Sequence, residues 1–85
     1  MTRLIQPHAP LTVRRAPDGS PAALRWQHDE HRVTAVLDAW RIQRGWWEEQ
    51  PAQRDHYTVT TDRGLVCDLY WDWQRDAWFL ERIHD

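Results

Sequence analysis

The residues of this chain best suited to chemistry form one cationic and aromatic group: Trp40, Arg41, Arg44, Trp46, Trp47 and Arg54. Planar guanidinium groups interleaved with indoles can stack nucleobases and contact phosphates, and the same mixture is enriched at protein–protein hot spots. These six are the candidate partner-binding residues. The competing role for Trp40 and for one of Trp46 and Trp47 is to fill the core or plug a barrel end, because Trp is highly buried on average. Neighbours on an extended chain face opposite ways, so Trp46 and Trp47 are not expected to be fully buried together.

Three other groups have types that catalysis or metal binding uses, and each has a plainer role. Asp68 and Asp72 on one strand face, with Glu81 nearby, resemble a carboxylate set for acid–base work. They serve equally as partners for Arg75 or Arg82 across a hairpin. His28 and His31 flank Asp29 and Glu30, but no further Cys or His pair completes a ligand set, and a polar turn is expected there. Cys67 would need His56 or His84 to generate a thiolate, yet it sits in the apolar register of its strand, where a small core residue belongs. The reading is of a non-catalytic chain with no metal and no cofactor. A small enzyme acting through the acidic face ranks third among the functions considered.

Strands must position these groups. Leu11 and Val13 alternate up to Arg15, Asp18-Gly19 supplies a turn that tolerates positive φ, and Ala22 to Trp26 returns with Leu24 and Trp26 on one face. A third strand runs from about His31 to Leu37. Residues 38–55 contain Gly45, Pro51 and many polar side chains, which predicts a long irregular excursion carrying Trp40, Trp46 and Trp47. His56 to Thr61, Leu65 to Asp72 and Ala77 to His84 then form a three-strand meander. Leu65, Cys67, Leu69 and Trp71 share one face of it, and in the last strand Trp78, Leu80 and Arg82 oppose Phe79, Glu81 and Ile83. Trp26, Trp71 and Trp78 are the fold-building tryptophans. The expected architecture is mostly β: a small, strongly curved antiparallel sheet or a partly open barrel of the SH3 or OB kind. Residues 1–10 are expected to be a flexible tail ahead of a single domain over 11–85.

Eighty-five residues suffice for one domain that buries roughly 60% of its unfolded surface. One cysteine cannot make an internal disulfide, which points to a reducing, cytoplasmic setting, and no apolar run approaches a signal peptide or a membrane span. All eleven basic residues are Arg, and the net charge of −2 carries no general preference for nucleic acid. Exposed strand edges beside unburied Trp side chains would favour a homodimer.

The segments RVTAVLDAWR, GWWEEQP, RDHYTVTTDRGLVCDLYWD and WFLERIHD together resemble a bacterial family of uncharacterised domains. Such domains occur alone and as the C-terminal segment of Y-family DNA polymerase-like proteins of the damage-inducible mutagenesis cassette. The resemblance spans about Leu11 to Asp85. It brings no catalytic residue and no cofactor. It implies an accessory or adaptor role in DNA-damage tolerance, with a polymerase-like protein as partner. Binding of single-stranded nucleic acid by Trp and Arg stacking is the alternative.

Overall fold

The computed structural model describes residues 2–43 and 53–84. They form six strands, β1 (Thr2–Arg15), β2 (Pro21–Trp26), β3 (Asp29–Gln43), β4 (Gln53–Thr61), β5 (Val66–Asp72) and β6 (Ala77–His84). Every strand pairs antiparallel with its sequence neighbours, and β1 meets β6 to close the ring. No helix among the described residues is long and apolar enough to cross a membrane.

Closure of so few strands depends on two long strands that change partner midway. β1 pairs with β6 over Thr2–Leu11 and with β2 over Thr12–Arg15. β3 pairs with β2 over Asp29–Arg32 and with β4 over Val33–Gln43. The result is an uneven ring. Bulges supply the bends: the β3 register slips around Thr34 and again around Leu37, and each extra residue kinks its strand and steepens the local twist. The tight turns match their sequences. Gly19 takes a φ of 91° after Asp18, whose Oδ1 accepts from the Ser20 backbone N–H and hydroxyl. Gln27 and His28 both take positive φ in the two-residue connection from Trp26 to Asp29, as a hairpin of matching twist requires.

The interior is filled by Leu24, Val59, Cys67, Leu69, Trp78, Leu80 and Ile83, with Leu11, Val13, Trp26, Val33, Tyr57, Leu65 and Trp71 packed around them. Alternation on β5 reads as expected. On β6 it does not: Leu80 pairs with Leu69 but Arg82 pairs with Asp68, so Glu81 is a bulge. That extra residue reverses the facing after it, and Ile83 joins Trp78 and Leu80 inside while Arg82 turns out.

Two expectations from sequence need correction. Residues 2–10 do not form a separate tail. They are the first part of β1, with Thr2 opposite His84, Arg3 opposite Ile83 and Pro10 opposite Phe79, because without them β6 would leave a long edge unpaired. Nor is the whole of 38–55 irregular. β3 continues to Gln43 and β4 begins at Gln53, the ladder running unbroken from Asp38–Thr58 to Gln43–Gln53. Polar residues here do not mark a loop, since a strand with two solvated faces needs no apolar alternation.

Candidate interaction surface

The end of the ring where β3 leaves β2 is open. Along β4 the residues alternate between the interior and an outer face, so Asp55 and Tyr57 point toward this mouth while Arg54 and His56 point away. Asp55 is its hub. Arg41 Nε donates to Asp55 Oδ1 at 2.8 Å, and Trp73 Nε1 donates to Oδ2 at 3.2 Å. The Arg41 guanidinium lies 5.6 Å from the Trp73 ring, while the Trp73 backbone N–H donates to the Gln53 carbonyl at 3.0 Å and so ties the β5–β6 turn to β4. Trp73 is nevertheless half exposed, with 50% of its surface in water.

Arg15, at the end of β1, places its guanidinium 4.4 Å from the Trp71 ring and 5.1 Å from the Trp78 ring, a cation held against two indole faces. A depression of about 360 Å³ is lined there by Arg15, Asp18, Arg41, Asp55, Trp71 and Trp73, among others. A second, of about 350 Å³, shares Arg41, Asp55 and Tyr57 and continues to Ala39 and Trp40 on β3. Partial burial, and then the Asp55 carboxylate, push the Tyr57 phenol up from its ordinary pKa. The Asp18 carboxyl is held below the usual range by its bonds from Ser20.

The outer face carries a different arrangement. Trp40, His56, Tyr70 and Phe79 are direct cross-strand partners in one row over β3, β4, β5 and β6. Their ring centroids are 5.2, 4.9 and 5.5 Å apart in succession, all stacked. Arg54 lies 4.7 Å over Tyr70 and Arg75 5.5 Å from Phe79. Tyr70 also shares a 2.6 Å hydrogen bond with His8 Nδ1. Both ring nitrogens of buried His56 lack a hydrogen-bond partner, and loss of solvent lowers its pKa.

The structure thus separates the residues that sequence grouped together. Arg54 and the Trp40 ring belong to the outer row and Arg41 to the mouth, with Trp40 also at the margin of the second depression. Arg44, Trp46 and Trp47 lie outside the described residues. Arg15, Asp55, Tyr57, Trp71 and Trp73 become neighbours of Arg41 only through the fold. Trp73 carried a usable signal, being a large aromatic in a turn, where little could bury it.

The remaining chemistry-bearing residues are engaged apart from one another. Asp68 accepts from Thr58 Oγ1 at 2.6 Å and lies 3.0 Å from His84 Nε2. Asp72, about 13 Å further along the strand at some 3.3 Å per residue, caps the β5–β6 turn by accepting from the Gln74 and Arg75 backbone N–H groups. Cys67 is fully buried, and desolvation pushes its thiol up to about 12, far from a reactive thiolate. His31 is buried against Thr61 Oγ1 at 3.2 Å, whereas His28 is exposed in its turn. Among the described residues no group of three or more His, Cys, Asp or Glu side chains is arranged to hold a metal ion.

Residues 3–85 match the model of a domain of unknown function, DUF6504, and the chain belongs to that family. Neither the curated proteins nor the solved structures contain a match to it.

Proposed function

We propose that this domain is a non-catalytic interaction module that engages a protein partner through the mouth around Asp55. The observation that carries the reading is the pair of exposed side chains Arg41 and Trp73, prepositioned by two hydrogen bonds to half-buried Asp55 over a shallow depression. Trp, Tyr and Arg dominate binding energy at protein interfaces, and side chains already fixed lose less entropy on association. The resemblance to the C-terminal segments of Y-family polymerase-like proteins supplies a setting. In it the domain is an accessory or adaptor of DNA-damage tolerance, and a polymerase-like protein is the partner to test first.

Titration against the polymerase-like protein of the same damage-inducible cassette should give binding that Trp73→Ala and Arg41→Ala each weaken at least tenfold while circular dichroism stays unchanged. Undiminished binding by both folded variants would remove this surface from consideration.

A second reading, single-stranded nucleic acid, is favoured by one feature. Arg14, Ala23 and Arg32 form a cross-strand row with Arg25 close by, and none of these three arginines has an ion pair among the described residues. An oligonucleotide titration followed by Trp fluorescence tests it: phosphate contacts require affinity that falls steeply with salt and falls again in Arg14→Ala.

A further inference from the structure

The aromatic row on the outer face stops at an open edge. β3 lies beside no strand but β2 and β4, and β2 pairs only with its first four residues, so from Val33 onward one edge of β3 has no strand partner among the described residues. The early part of this edge is blunted by the bulges around Thr34 and Leu37. The later part has no bulge, and a side chain engages its backbone only at its start, where Asp38 Oδ1 accepts from the Ala39 backbone N–H at 2.9 Å, a bond that pairing would exchange for one to a partner carbonyl. Asp38–Gln43 runs in unbroken register against β4 and contains neither Lys nor Pro. Apolar side chains flank or occupy it: Val36 is 41% exposed, Leu37 58% and Trp40 38%. Trp40 is stacked on His56 on one side only, and the row ends there.

We propose that a second copy of this chain pairs antiparallel along Asp38–Gln43, with the two-fold axis at Trp40. Direct partners in an antiparallel pair share a face, and a two-fold axis normal to the sheet returns each residue to its own face, so the axis must pass at a residue rather than between two. Centring at Asp38 or Arg41 opposes like charges, which destabilises a pair. Centring at Ile42 or Gln43 pairs fewer of the six residues, and centring at Ala39 sets the indole against the partner's Asp38. Centring at Trp40 places indole beside indole, Ala39 opposite the partner's Arg41 and Asp38 opposite the partner's Ile42, with no charge conflict. It also makes the row continuous: Phe79, Tyr70, His56 and Trp40 of one copy run into the same four residues of the other. This interface shares Arg41 with the mouth, but it is carried by the open edge and by Trp40 rather than by the Asp55 and Trp73 contacts, so self-association and partner binding are measured separately.

Sedimentation equilibrium of the full chain over a range of concentrations tests it. The expected result is a reversible dimer. Trp40→Lys and Ala39→Lys should each raise the dissociation constant at least tenfold, the latter by facing the partner's Arg41, while Ala39→Glu should leave it unchanged or lower it. If Trp40→Lys disturbs the circular dichroism, the opposite responses of Ala39→Lys and Ala39→Glu decide. A wild-type chain that stays monomeric to about 1 mM overturns the proposal, even if an extended segment of another protein occupies the edge. A dimer that neither lysine variant weakens overturns it as well.

Discussion

β3 and β5 are strands of the same ring, yet their environments are opposite. β5 is seven residues long and mostly buried on both faces, including Asp68 and Asp72. β3 is fifteen residues long and mostly exposed on both, although it carries Val33, Val36, Leu37, Trp40 and Ile42. The difference lies in what surrounds them. β5 has a full-length strand on each edge, the hydrophobic core beneath, and the layer of His56, Phe79, Arg54 and His8 above. The second half of β3 has a strand on one edge only. A buried polar residue is tolerated where its hydrogen bonds are supplied, as Thr58 and His84 supply those of Asp68.

The sharpest way to break this comparison is to truncate the inner face of β5. Leu69→Ala, at a position with no exposure, should cost about 2–5 kcal/mol in urea unfolding and leave a domain of this size barely folded. An apolar substitution of similar or greater size on β3, Leu37→Ala, should change stability by no more than about 0.5 kcal/mol. Comparable losses in the two variants would show that β3 is covered in solution.

A smaller effect is expected from Asp68→Ala, about 1–3 kcal/mol for removing a buried hydrogen-bonding carboxylate, read from the same unfolding curves. An unaltered midpoint would mean that Thr58 and His84 find other partners at no cost.

His56→Phe tests the layer above β5. Its ring nitrogens have no partners, so an apolar ring should stabilise the fold by about 1 kcal/mol at pH 7.5. Its folded pKa lies below the ordinary 6.5, so the unfolded chain takes up more protons below that pH. The His56 contribution is therefore intact above pH 6.5 and is lost as pH falls below it toward the lowered folded value. The gain from His56→Phe should be larger at pH 5.5 than at 7.5, where Glu81, Arg54, Asp68 and His8 provide the surrounding charges in both proteins. Parallel loss of stability in parent and variant would assign the pH dependence to other groups.

Much of this arrangement was legible in the residues. Alternation identified Cys67, Leu69 and Trp71 as one inward face, and Asp18-Gly19 marked its turn, because both signals are local. The β6 bulge was not legible, since an extra residue is recognised only against the strand it fails to match, and simple alternation puts Arg82 and Ile83 on the faces opposite to those they occupy. Residues 2–10 gave no strand signal of their own, with polar and proline residues interrupting every apolar pair, yet β6 organises them. For the site, sequence proximity joined Trp40 to Arg41, whereas the pleat directs one to the outer row and the other to the mouth.

By itself the sequence determined a mostly β domain whose tryptophans divide between building the fold and lying at its surface, because the period of two and the turn chemistry are written residue by residue. Only the tertiary structure decided that the sheet closes, that Arg41 meets Asp55 and Trp73 from three elements, and that β3 ends in an open edge. Those facts depend on which strands become neighbours, a property of the whole ring that no single segment contains.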